Sequence, residues 1–176
     1  MRCRRCRLWE GTQGTVFGEG DPHARLMIVG EGPGQREDEQ GRPFVGRAGQ
    51  LLDQVLEAQG LSRQSVYITN VVKHRPPQNR TPLPDEVATC LPILRWQFYF
   101  IRPKVILLLG LSAVHALLDP QATMGRVRGQ LVERSGVWML PTYHPAAVLR
   151  NPGLRVHLED DVALARKKLE ELAAQQ

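Results

Sequence analysis

"LMIVGEGPG", residues 26–34, is the stretch that decides how this chain folds. Four apolar residues run without polar interruption into Gly30, and two more glycines follow at 32 and 34. A short apolar run closed by glycine reads as a strand buried on both faces, the environment inside a parallel sheet. The same pattern returns in "VYITNVV" (66–72) and "KVILLLG" (104–110), and "VWMLPTYHPA" (137–146) supplies a fourth strand with its exit loop. Between these runs the apolar period changes from continuous to helical. Ala48, Leu51, Leu52, Val55 and Leu56 form one stripe, ended by Gly60. Val87, Cys90, Leu91, Leu94 and Phe98 form another, a helix is expected near 111–118, and Leu158, Val162, Ala165, Leu169 and Leu172 mark the last. Strands alternating with helices predict an α/β fold, three layers α/β/α around a central, mainly parallel four-stranded sheet.

The 176 residues contain no repeat, low-complexity tract or linker, so one domain spanning 1–176 is expected. A hydrophobic fraction of 42% and a charged fraction of 23% describe a soluble globule. The longest apolar run, 105–109, has strand length and does not suit a membrane span. The Arg-rich start lacks the apolar segment of a secretory signal, and cytoplasmic residence is expected. A net charge of +5 suits a polyanionic partner, because each neutralised phosphate releases counterions. Three cysteines cannot complete a disulfide framework; they read as metal or cluster ligands, or as buried thiols.

In open parallel sheets, ligands bind beyond the carboxyl ends of the strands. Gly30, Glu31 and Gly32 follow the first strand, Asn70 ends the second, and His144 follows the last. Three polar signals therefore converge on one sheet edge. The loop "GEGPGQREDEQGRPFVG" (30–46) is not a dinucleotide fingerprint: Gln35 replaces the third glycine, Pro33 removes a donor, and no acidic residue ends the next strand. Phe44 in that loop is either a core residue or a base-stacking platform. Asn70 either caps a turn or offers its amide to a base edge, since it can donate to one atom and accept from a neighbour. His23, His115 and His157 lack such convergence and are expected to be structural.

Cys3 and Cys6 form a C-x2-C pair, a spacing that lets two thiolates share a metal centre. Cys90 is a third candidate, on an apolar helix face. The fourth ligand is then not a cysteine, and His74 in "VVKHRPPQNR" (71–80) precedes the helix that carries Cys90. Zinc and an iron–sulfur cluster both fit this spacing.

Taken together, C-x2-C, "VFGEG", "LMIVGEGPG", "GRPFVGRAGQLLD", "YITNVVK", "RPPQNRTPLPDE", "PKVILLLG", "VRG" and "PTYHPA" run nearly end to end and closely resemble the family-4 uracil-DNA glycosylases. The resemblance implies hydrolysis of the N-glycosidic bond of deoxyuridine in DNA, leaving an abasic site, by a monomer. It implies a structural [4Fe–4S] cluster held by Cys3, Cys6, His74 and Cys90, with zinc as the alternative. It implies that Phe44 stacks on the flipped uracil, that Asn70 reads N3–H and O4, and that His144 donates to O2 as charge develops there. Gly30, Glu31 and Gly32 would face the base, and Glu37 would stand near uracil C5. Glu31 would orient water or fix the pocket backbone. Arg75, Asn79 and Arg80 would face the DNA backbone, with Val148, Leu149 and Arg150 as wedge or phosphate contacts. The sequence departs from the family pattern at His74, where a cysteine is usual. The X-type relatives, which trap uracil-DNA covalently, also have histidine after this strand, so a uracil-DNA binding protein with weak or self-trapping activity is the alternative. Their long basic insertion is missing here, and turnover is expected.

Overall fold

The computed structural model describes residues 2–175. The four expected strands are present: β2 (Leu26–Gly30), β3 (Tyr67–Asn70), β4 (Val105–Leu109) and β6 (Val137–Thr142). They are mutually parallel, in the order β3, β2, β4, β6. Two further strands make the sheet six-stranded and mixed, a correction to the expected four. At one edge β1 (Glu19–Gly20) pairs antiparallel with β3, and at the other β5 (Val132–Arg134) pairs antiparallel with β6. Both are two or three residues long and largely solvated, so neither carries an apolar run that a sequence pattern could register. β5 and β6 are joined through Ser135 and Gly136, both at positive φ, as a two-residue hairpin turn requires.

The central strands are buried throughout because each face of the sheet meets its own helical layer. Leu26, Ile28, Val105, Leu107 and Leu109 face one core with Leu51, Leu52, Val55, Leu158 and Val162. Those partners come from α2 (Arg47–Ala58) and α7 (Arg155–Ala174). Met27, Val29, Ile106 and Leu108 face the opposite core with Cys90, Leu94, Ala113 and Val114. These lie on α3 (Pro84–Ile101) and α4 (Leu111–Leu117). Each fully buried aliphatic side chain contributes about 1.5–3 kcal/mol, so two-sided burial is what drives the continuous apolar runs of β2 and β4 into the centre.

Three short helices complete the chain: α1 (Gln35–Gln40) inside the glycine-rich loop, α5 (Met124–Val127), and α6 (Pro145–Arg150) directly after His144. The chain leaves β2 toward β3 on one side, then crosses to β4 on the other. That reversal opens a crevice beyond Gly30 and Leu109, the point where such sheets receive ligands. Among the described residues, no helix is long and apolar enough to cross a membrane.

Candidate active site and thiol cluster

A cleft of about 690 Å³ occupies the switch point, and Glu31, Gly32, Phe44, Asn70 and His144 all line it. Gly30 sets the floor. A Cβ there would stand 2.5 Å from the Phe44 ring and 2.6 Å from Asn70 Oδ1, so only glycine lets those two side chains meet across it. The Phe44 and His144 rings lie 5.5 Å apart, inclined by 29°.

Asn70 is 1% exposed, yet neither its Nδ2 nor its Oδ1 has a hydrogen-bond partner among the described residues. Buried amides are nearly always paired, and each unmet group costs about 1–3 kcal/mol. Asn70 therefore holds a donor and an acceptor ready at the cleft.

His144 is the N-cap of α6, and its Nδ1 accepts a hydrogen bond from the Ala146 amide at 3.0 Å. An amide N–H can only donate, so Nδ1 carries the lone pair and the proton of the neutral ring sits on Nε2. Burial, reinforced by the nearby Arg150 charge and opposed by Glu37, pushes the imidazole down to about 4. His144 is thus a neutral N–H donor at physiological pH.

Glu31 follows β2, and its carboxylate accepts a short hydrogen bond from the Ser112 hydroxyl on α4. Ser112 carried no sequence signal, because nothing local links it to a residue 81 positions away. Glu37 lines the cleft, but its Oε1 accepts the Val45 and Gly46 amides at 3.0 and 2.9 Å. It fixes the two peptides that lead into α2.

The surface residues divide by their partners. Arg75 Nε donates to Asn79 Oδ1 at 2.8 Å, and Asn79 lines the cleft. Arg80 is held by Glu86 at 2.7 Å, which offsets its charge. Val148 is buried in the core, whereas Leu149 is 39% exposed and Arg150 lies at the surface of the cleft.

Cys90 belongs to the core between the sheet and α3, and Cys6 packs against that core. Cys90 is buried, and burial pushes its thiol up against the opposing influence of Lys73. His74 is 4% exposed; its Nε2 lies 3.3 Å from Thr15 Oγ1, which accepts from the Cys3 amide at 3.2 Å. Burial lowers the His74 imidazole below its ordinary value. Arg7 draws this N-terminal arm onto the first turn of α3 through Asp85 and Glu86. Glu86 is fully buried and held down to about 2, chiefly by Arg80. Lys73 is also fully buried, and its amino group donates to Thr69 Oγ1, the Asn70 carbonyl and Gln97 Oε1. Burial lowers it to about 7, with Cys90 acting in the opposite direction. Among the described residues, no three His, Cys, Asp or Glu side chains close into a group that could hold a metal ion.

His23 and His157 stand outside the cleft. His115 lines its rim, with Nε2 2.9 Å from the Ala122 carbonyl.

Comparison with known proteins adds an independent line. A family model described as uracil DNA glycosylase superfamily matches residues 17–171. The chain is 46% identical to the type-4 uracil-DNA glycosylase of Sulfurisphaera tokodaii, over 98% of its own length and 81% of that relative. It is 46% identical to the type-4 enzyme of Archaeoglobus fulgidus, over 98% and 88%. Identity to the type-4 enzyme of Thermotoga maritima is 44%, over 90% and 85%.

Proposed function

The chain belongs to the uracil DNA glycosylase superfamily, and on that premise we propose how its cleft performs the reaction. The protein is a DNA-repair hydrolase that cleaves the N-glycosidic bond of deoxyuridine. A deoxyuridine turned out of the DNA enters the cleft, and its base lies against Phe44, beside Asn70. Asn70 accepts from N3–H and donates to O4. Cytosine presents the reverse pattern and leaves both amide atoms mismatched, a penalty of roughly 1–3 kcal/mol for each buried group. The unpartnered Asn70 amide is the observation that carries this reading.

As the N1–C1′ bond breaks, its electron pair stays with uracil and the sugar becomes oxocarbenium-like. His144 Nε2–H donates to O2, where the negative charge collects; a preorganised donor of this kind is worth about 3–4 kcal/mol. Its neutral state suits the task, because the ring stabilises the anion without first giving up a proton. Water then bonds to C1′ and its proton leaves toward the uracil anion. Glu31, with Ser112 occupying one side of its carboxylate, orients that water. Leu149 and Arg150 enter or flank the gap left by the extruded base, and Arg75 and Asn79 follow the backbone, whereas Arg80 stays on Glu86. The enzyme is taken to be a single-domain cytoplasmic monomer.

Cys3, Cys6, Cys90 and His74 would hold the [4Fe–4S] cluster, which supplies a rigid structural anchor and no step of the reaction. Two observations support the fit. Cys6 packs against the core that contains Cys90, and Thr15 joins the Cys3 amide to the His74 ring; the buried Lys73 side chain meets no carboxylate among the described residues, which leaves room for thiolates beside it. Zinc is the alternative occupant, since three thiolates and one imidazole also make a structural zinc site. His74 is buried and does not line the cleft, which favours turnover over self-trapping through that residue.

The test is release of uracil from an oligonucleotide, read as strand scission after alkali. Multiple turnovers are expected, with kcat lowered on the order of 100-fold or more in His144→Ala. Unchanged release in that variant would overturn the mechanism, and a heat-stable protein–DNA adduct would favour the trapping alternative.

A further inference from the structure

Phe44, taken above as the stacking platform, does not hold its own position. Its φ is +51°, in the left-handed region that residues with a side chain rarely adopt. What keeps it there is a set of charged groups reaching in from elsewhere. Arg63, between α2 and β3, donates from Nη1 to the Phe44 carbonyl at 2.9 Å and from Nη2 to the Pro43 carbonyl at 2.6 Å. On the following two peptides, the Glu37 carboxylate accepts the Val45 and Gly46 amides. Four successive residues, 43–46, are thus each fixed through their backbone. Arg63 is itself braced by Glu19 and by Asp53, the latter at 3.0 Å, and its side chain is only 15% exposed. Gly49 completes the seat: a Cβ there would fall 1.8 Å from the Phe44 carbonyl oxygen.

We infer that Arg63 is a positioning residue for base recognition, acting through Phe44. This rests on the reading of Phe44 as the uracil-stacking platform. A guanidinium presents donors in a planar fork, so it can span two adjacent carbonyls and still meet two carboxylates. Lysine has one charged nitrogen on a flexible stem and cannot reproduce that fork. Without the clamp, residue 44 relaxes toward an extended backbone and the ring leaves Gly30, Asn70 and His144. Uracil then loses its stacking surface although every residue that touches it is unchanged.

A double-mutant cycle between Arg63→Met and Phe44→Leu tests this, with kcat and KM for a uracil-containing oligonucleotide and inhibition by free uracil as readouts. Arg63→Met is expected to lower kcat/KM at least tenfold in the parent enzyme and less than twofold in the Phe44→Leu background. Inhibition by free uracil should weaken in the same non-additive way, and Arg63→Lys should restore only part of the loss. Equal losses in both backgrounds, or no loss in either, would overturn the inference while leaving the pocket intact. If Phe44→Leu alone left uracil release and uracil inhibition unchanged, the stacking reading itself would fail. Should Arg63→Met not fold, the same cycle with Arg63→Lys decides by the same criterion.

Discussion

One side chain at the cleft, His144, has its protonation fixed by its immediate surroundings, and this makes the site readable at the level of atoms. The Ala146 amide dictates which His144 nitrogen bears the proton, and burial keeps a second proton off. In the unfolded chain a histidine titrates near 6.5, whereas here it does so at about 4. Between those values the unfolded state binds the proton and the folded state does not, so stability falls as pH drops through this window. Catalysis is expected to show no inflection from His144 between about pH 5.5 and 8, with nitrogen-resolved NMR reporting an Nε2–H imidazole throughout. A ring that titrates near 6.5, or that carries its proton on Nδ1, would contradict this assignment. His144 and Asn70 were legible in the sequence because both sit at strand ends, where topology alone brings residues together. Ser112 and Arg63 were not. Each acts on a partner 81 or 19 positions away, and nothing near either in the chain marks the contact.

At the scale of elements, the sequence announces what is buried on both faces and passes over what is not. β2 and β4 were visible as uninterrupted apolar runs, and α2 as an apolar stripe. The edge strands β1 and β5 were missed because their stability comes from pairing with a neighbour rather than from side chains of their own. The Ser135–Gly136 turn was the one available signal for the second. The thiol region shows the same division. The four proposed ligands lie on three separate elements: the N-terminal arm, the loop after β3 and α3. Arg7 and Arg80, meeting on the buried Glu86, tie those elements together. Protein purified without oxygen is accordingly expected to carry about four iron atoms per chain. His74→Ala should lose that iron and its visible absorbance, and His74→Cys should keep both. Zinc in place of iron, or full iron retention in His74→Ala, would remove His74 from the ligand set.

For the whole molecule the relevant quantity is where the net charge of +5 is free to act. Many cations are already engaged: Arg7 and Arg80 on Glu86, Arg42 and Arg63 on Glu19, Arg128 on Asp161. A guanidinium that faces a carboxylate within the protein has little counterion atmosphere to exchange with a phosphate. Arg150 is different, being exposed on the cleft wall after α6 begins and making no ion pair among the described residues. The two arginines nearest the cleft therefore separate by experiment. Binding to an oligonucleotide without uracil, measured across salt concentrations, isolates the backbone contribution from chemistry at the base. Arg150→Ala should reduce the slope of log affinity against log salt by about 0.7–0.9, the value of one phosphate contact. Arg80→Ala should change that slope by much less and should instead lower thermal stability, since it leaves the fully buried Glu86 carboxylate with one guanidinium fewer. Equal slopes for Arg150→Ala and the parent protein would place the DNA backbone elsewhere, and a full unit lost in Arg80→Ala would mean that its pairing with Glu86 opens when DNA binds.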